Sequence, residues 1–406
     1  MGSDPRKPWR QPKKHEGGVN EPSNIQEKIP TPWDSTRIAL PYLVPGVSGC
    51  GGRLRDIEED FRVEEVPFYE PSGQGEHLYL WIEKHGQSTT GAIHHLLKHL
   101  ALPPTAAGFA GRKDTRAITR QWLSFHTPQT PTPGELEGNG IKVLRVERHG
   151  NKLRKGHLAG NRFSIVLRGL HLGCEPAPIL EHIRTHGFPN YFGDQRMGLN
   201  GENPVRGRRL LDHPSRGPRG GEKSRFLINS YQSALFNDLV AQRLGQVGNL
   251  TRILAGDLVT LHRNLAMFEV VPMEMASIQQ RADLGELSPS ALLPGTEAPF
   301  AGGKQGEWEH WLMAREGLTT ESFRRGVRKH SPKGERRPMR ALPSEMSWTM
   351  GPEDGEDCLS LDFMLPKGTY ATSMLREVMR NDHWSGFRLA PPKEITNRVY
   401  REDDRA

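Results

Sequence analysis

Apolar and polar positions follow one another in short runs through the first half of the chain. Phe61–Val66 alternates in part and Leu78–Ile82 is more continuously apolar, so both predict strands. Pro71-Ser72-Gly73-Gln74-Gly75 between them is a turn. The period then changes. Ile93, Leu96, Leu97 and Leu100 recur at helical spacing and predict a helix over 89–101, with Ser88 or Thr89 as its cap. Ile118–Phe125, Val143–Val146 and Phe163–Leu167 read as further strands, and Ile179–His186 as a short helix.

The pattern breaks over 200–222, which is dense in Gly, Arg and Pro and predicts a loop or linker. Asn229–Leu244 predicts a helix with Tyr231, Leu235 and Leu239 on one stripe and Gly245 as its stop. A second break is expected over 299–308. Leu359–Leu365 alternates as a strand, and Tyr370–Arg380 predicts a helix with Ala371, Met374, Leu375 and Val378 inward. Strand-rich ends flanking a differently composed middle predict one α/β domain interrupted by an insertion.

Composition narrows the class. The chain has 406 residues, 35% of them hydrophobic, and a mean hydropathy of −0.65, enough for two soluble domains with a modest core. No apolar run approaches the roughly 20 residues that span a bilayer. The N-terminus lacks an apolar signal core, so a cytoplasmic location and no membrane partner are expected. Residues 1–35 are poor in apolar positions and predict a disordered tail. Cys50, Cys174 and Cys358 stand far apart, against both a disulfide framework and a cysteine zinc site. His94, His95 and His99 share a helix and read as surface or packing residues.

Charge adds a partner class. The formal net charge is +7 and the pI about 9.3. The cations gather in three runs: Lys152–Arg168, Arg206–Arg225 and Arg324–Arg340. Three such runs favour a polyanionic partner over a merely solvated face.

The candidate chemistry lies in Gly111-Arg112-Lys113-Asp114-Thr115-Arg116-Ala117-Ile118-Thr119-Arg120-Gln121-Trp122. Nearby cations favour the charged form of a carboxylate, so Asp114 is available as nucleophile or base, and the cations suit a phosphate-bearing substrate. Taken alone, the segment reads as a turn with a solvated charge cluster. The loop leads into a strand, a common seat for catalytic groups.

The pattern Gly-x-Lys-Asp-x-x-Ala-x-Thr-x-Gln-Trp resembles the TruD family of RNA pseudouridine synthases, and three further blocks resemble it in order. They are Asp60-Phe61-Arg62-Val63-Glu64-Glu65 with Ser72–Leu78, then Lys152–Phe163, then Asn190-Tyr191-Phe192-Gly193-Asp194-Gln195-Arg196-Met197-Gly198. The resemblance spans roughly residues 50–380. It implies that Asp114 is the nucleophile and that Phe61, Asn161 and Phe163 line the substrate pocket. Arg55 stands where the family has a Lys. Lys113 and Arg116 are expected on backbone phosphate, Gln195 and Arg196 on RNA, and Arg336 and Arg337 as further RNA contacts. A Phe at position 163 cannot take a proton, so the group that accepts the C5 proton stays open.

The implied fold is α/β of the α+β kind: a pseudouridine synthase catalytic domain with a mixed, mainly antiparallel sheet, interrupted by a TruD-type α/β insertion. The expected boundaries are a tail over 1–35, catalytic domain over 36–199, insertion over 200–342, catalytic domain again over 343–395 and a tail over 396–406. A V-shaped cleft between the two parts, lined by the basic runs, is expected. The implied activity is isomerisation of a tRNA uridine, at position 13, by a monomer with no cofactor and no metal. Two rivals are a non-catalytic RNA-binding or chaperone protein that keeps the fold, and a nuclease using Asp114 with a metal.

Overall fold

The computed structural model describes residues 40–198, 201–213, 221–325, 332–353 and 355–380. The two expected tails, 1–35 and 396–406, lie outside the described residues.

In chain order the first part carries β1 (Gly51–Leu54), β2 (Phe61–Pro67), β3 (His77–Lys84), α1 (Thr89–His99), β4 (Ala107–Phe109), β5 (Ile118–His126), α2 (Pro133–Leu136), β6 (Ile141–His149), β7 (Leu158–Leu170) and α3 (Ala177–His186). The middle carries β8 (Phe188–Pro189), α4 (Asp194–Met197), α5 (Glu202–Asp212), α6 (Gly221–Val247), β9 (Leu258–Leu261), β10 (Met267–Glu269), α7 (Met275–Asp283), β11 (Leu287–Leu293), α8 (Gly303–Arg315), α9 (Thr320–Arg325), β12 (Glu335–Pro338) and β13 (Arg340–Ala341). The last part returns with β14 (Ser344–Glu353), β15 (Glu356–Pro366) and α10 (Ala371–Met379).

Both ends of the chain build one nine-stranded sheet in the order β14-β15-β7-β2-β5-β3-β6, with β1 on β7 and β4 on β5. Of its pairings only β2–β5 is parallel, so the sheet is mixed and mainly antiparallel, as expected. Strand β2 follows its alternation: Phe61, Val63 and Glu65 are buried and Arg62 is exposed. Phe61, Phe163, Ile165, Leu361 and Phe363 form a core with Met374 and Leu375 of α10. Farther across the same face of the sheet Leu78, Leu80, Leu123 and Phe125 pack on Leu96 and Leu97 of α1. Ser88 caps α1, its side chain accepting from the Gly91 amide.

The middle packs around α6, where Tyr231, Leu235, Phe236 and Leu239 meet Leu292, Trp308 and Leu312. Strands β10-β9-β11-β12 form a separate antiparallel sheet. The chain enters and leaves this part through β8 and β13, which pair antiparallel with Phe188 opposite Ala341.

Three expectations are corrected here. The stretch 200–222 contains helix α5 rather than a simple loop. Val205, Leu210 and Leu211 are buried, and Gly207 lets the helix press against α6. Arg208 donates to the Tyr231 hydroxyl (3.1 Å) and the Glu316 carbonyl (2.5 Å), so its charge serves helix packing. Packing here overrides composition. Helix α6 is longer than Asn229–Leu244 and runs through Gly245; Gly248, at φ +84°, follows its end and donates to the Leu244 carbonyl. The break at 299–308 is the start of α8, whose Gln305 and Trp308 are buried and whose Glu309 accepts from the Ala301 amide.

Candidate active site

The loop before β5 is held from beneath. The Lys113 amide donates to Thr89 Oγ1 (2.9 Å), Thr89 Oγ1 donates to Gln121 Oε1 (2.9 Å), and Gln121 Nε2 donates to the Gly111 carbonyl (3.1 Å). Lys84 Nζ, wholly buried, donates to the carbonyls of Asp114 and Gln87, both at 2.6 Å. Burial pulls the Lys84 ammonium down to about 8, against the opposing pull of Asp114.

Above this base the Asp114 carboxylate is gripped at both oxygens. Arg55 Nη2 donates to Oδ2 at 2.6 Å and Gln195 Nε2 donates to Oδ1 at 2.7 Å. The Asp114 side chain keeps 30% of its surface exposed, so it is oriented yet reachable. Arg55 adopts φ +65°, an uncommon left-handed backbone for a side chain of its size, and its guanidinium lies 4.0 Å over the Phe61 ring.

The cations around Asp114 are therefore not those of its own segment. Arg112 and Arg116 are exposed. Arg120 pairs with Glu83 (2.8 Å) and Glu64 (3.2 Å) on the sheet. Lys113 points inward instead of to a surface phosphate, donating to Glu65 Oε2 (2.9 Å) and Asn161 Oδ1 (2.7 Å). The Lys113 side chain is 4% exposed and that of Asp114 30%, so the first faces the core and the second the opening.

Sheet register brings the residues expected to line the pocket together. Glu65 on β2 stands opposite Asn161 on β7, and Val63 opposite Phe163. Phe163 meets Phe61 edge-on at 6.2 Å and stacks on Phe363 at 5.3 Å. Lys113 commits the Asn161 oxygen, which leaves the amide NH2 as its donating end. Burial pushes the Glu65 carboxyl above its ordinary range, and the Lys113 partner opposes that rise.

Gln195 and Arg196 occupy α4. Phe192 before it is clamped by Asn237, whose Oδ1 accepts from the Phe192 amide and whose Nδ2 donates to its carbonyl, both at 2.9 Å. Arg196 lies 5.6 Å from the Phe192 ring and 5.5 Å from the Phe226 ring. Arg337 donates to Asn190 Oδ1 (2.5 Å) and the Gly368 carbonyl (2.8 Å), over the Phe192 ring at 4.2 Å. Burial lowers Arg337 to about 10, so it stays charged at neutral pH. Arg336 is corrected: it is locked to Glu309 by two 2.8 Å bonds, with side chains 2% and 0% exposed, and offers nothing to RNA.

Sequence reasoning missed Lys84, Thr89, Glu65, Gln121 and Asn237 as supports. Their signal was present: each is a polar residue at a buried position of an otherwise apolar strand or helix face.

A family model described as tRNA pseudouridine synthase D (TruD) matches residues 37–212 and 222–378. The sequence is 40% identical over 356 residues to the tRNA pseudouridine synthase D of Thermus thermophilus, covering 87% of this chain and 96% of that one. It is 38% identical over 353 residues to the tRNA pseudouridine synthase D of Anaeromyxobacter dehalogenans, covering 84% and 97%. A Methanosarcina mazei crystal structure assigned to TruD superposes with a TM-score of 0.69 at 23% identity, covering 87% of this chain and 99% of that one, which shows the shared fold.

Proposed function

The chain belongs to the TruD family of tRNA pseudouridine synthases, and from that premise we propose that it isomerises uridine 13 in the D-arm of tRNA, with Asp114 as the nucleophile. The observation that carries the reading is the carboxylate held at both oxygens by Arg55 and Gln195 beside Phe61, Phe163 and Asn161.

The reaction breaks the C1′–N1 bond of a uridine, turns the uracil over and joins C5 to C1′. N1 gains a proton and C5 loses one, so the composition is unchanged and no oxidant is consumed. The uridine must leave its stack at a cost of a few kcal/mol. The Phe61 and Phe163 rings make the floor apolar and exclude water from the loose base. The Asn161 amide orients the base, and Asp114 drives glycosidic cleavage. Arg116, Arg196 and Gln195 serve the RNA around the opening.

The reading divides the chain as its composition does: a catalytic part over 36–199 and 343–395, and an insertion over 200–342. The β8–β13 pair, which brings entry and exit side by side, supports that layout. The RNA runs through a cleft between the parts, and the protein acts as a cytoplasmic monomer. Among the described residues no helix is long and apolar enough to cross a membrane.

The test is tritium release from tRNA transcripts labelled at uridine C5. Wild type should release label, and Asp114→Ala should release none while binding tRNA within about tenfold, since backbone electrostatics dominate affinity. Turnover by Asp114→Ala removes the nucleophile assignment. Undiminished release from a transcript with cytidine at position 13 removes the position.

A further inference from the structure

One residue along α4 from Gln195 begins a cavity of about 520 Å³ lined by Arg196 but not by Asp114, Phe61, Asn161 or Phe163. Its charge is lopsided. Arg196, Arg225, Lys333 and Arg337 line it against the one carboxylate of Glu335. Lys333 also reaches Glu297 at 3.1 Å, so the three arginines dominate. Such a wall favours an anion, and arginine forks suit phosphate.

The rest of the wall suits a base. Phe192 and Tyr370 line the cavity, and the Arg337 guanidinium lies 4.2 Å and 6.0 Å from their rings. Unstacked RNA bases rest on such rings and guanidinium planes. Helix α6 presents Arg225, Asn229 and Gln232 at helical spacing on the same side. Gln232 is oriented by donating to the Pro294 carbonyl at 2.5 Å. Amides carry both donors and an acceptor, which base edges require. The volume is within the range of small-ligand sites.

One turn of helix joins this cavity to the reaction. In α4, Gln195 donates to Asp114 while Arg196, the next residue, lines the cavity. We propose that the cavity takes a second nucleotide of the tRNA, extruded beside the target uridine. Its phosphate sits between Arg196 and Arg225, and its base lies against Tyr370 and the Arg337 guanidinium. The inference rests on the tRNA reading above. It adds that recognition needs two displaced nucleotides, with α4 linking them.

The experiment measures tritium release by the full chain from transcripts that carry one abasic nucleotide at a time through the D-arm. Wild type, Asn229→Trp and Arg225→Ala are compared. Filling the cavity with Trp should raise KM about tenfold, the scale of one lost base stack, with kcat within about twofold. One abasic position away from the target should impose the same KM penalty on wild type and add almost nothing to Asn229→Trp. Arg225→Ala should raise KM and reduce the salt slope of binding by about one. A folded Asn229→Trp with wild-type KM overturns the proposal. So does an abasic series that costs variant and wild type equally. Inhibition of every transcript alike by free nucleoside monophosphates would assign the cavity to a free nucleotide and also overturn it. Should Asn229→Trp not fold, Arg225→Ala carries the comparison with the same abasic series. Absence of release by the wild type sinks the isomerase reading instead, and binding of the abasic transcripts still decides the cavity.

Discussion

A lysine with no exposed surface stands directly behind the backbone of the proposed nucleophile. Lys84 gives two hydrogen bonds, to the carbonyls of Asp114 and Gln87, and so ties the Asp114 loop to the end of β3. Replacing it by Met keeps the volume but leaves both carbonyls without that donor, at about 1–3 kcal/mol each when buried. Removing a desolvated charge offsets part of that cost. Lys84→Met is expected to lower turnover at least tenfold, through loss of loop geometry, while tRNA affinity is kept. Its pH behaviour isolates the same residue. Burial lowers the ammonium from 10.5 to about 8. Below about 8 the group is charged in both states and the folded state carries the desolvation cost. Between about 8 and 10.5 the unfolded chain holds a proton that the folded chain has released, so stability rises with pH in that window. Urea midpoints at pH 7.5 and pH 10 should show a Lys84-dependent rise in wild type that Lys84→Met lacks. An identical pH response in both proteins would refute the assignment.

At the scale of elements, periodicity predicted what packing on one face dictates, and failed where two helices meet closely. Strands β2 and β7 and helices α1, α3 and α10 were legible because one side of each is apolar at its own period, whereas β3 and β5, buried at consecutive positions, were legible as runs rich in apolar and strand-forming residues. The proposed nucleophile and the proposed pocket lining come from motif resemblance. The grip on Asp114 was not, because Arg55 and Gln195 lie 59 and 81 residues away in sequence and only the folded sheet brings them in. Helix α5 was illegible for a related reason. Its Gly207 looks like a breaker but serves close approach: a Cβ there would stand 2.1 Å from the Leu227 carbonyl oxygen and 2.7 Å from its carbon. Backbone, unlike a flexible side chain, cannot step aside. Gly207→Ala therefore forces α5 away from α6 and should destabilise the protein by about 1–3 kcal/mol despite the better helix propensity of Ala. Chemical denaturation would read this directly, and a Gly207→Ala protein more stable than wild type would show that the two helices do not meet as described.

Across the whole molecule, the positive charge divides into two populations that the sequence alone could not separate. Arg168 is paired with Asp60 at 2.9 Å, Arg336 with Glu309, and Arg340 donates to Ser288 Oγ and the His186 carbonyl, all largely out of solvent. These arginines sit in the basic runs yet hold the fold together. Arg154, Lys155 and Arg225 from the same runs are exposed and can meet a polyanion. A charge count from sequence thus overstates the RNA-facing charge, and the two populations should respond oppositely to neutralisation. Arg154→Gln should weaken tRNA binding across sequences and lower the slope of log affinity against log salt by about one, with stability unchanged. Arg336→Gln strands the buried Glu309 carboxylate and should cost about 3–5 kcal/mol of stability while leaving the salt slope alone. Fluorescence anisotropy over a potassium chloride series, paired with urea unfolding, distinguishes them. A reduced salt slope for a still-folded Arg336→Gln would place that guanidinium on the RNA and contradict its burial against Glu309.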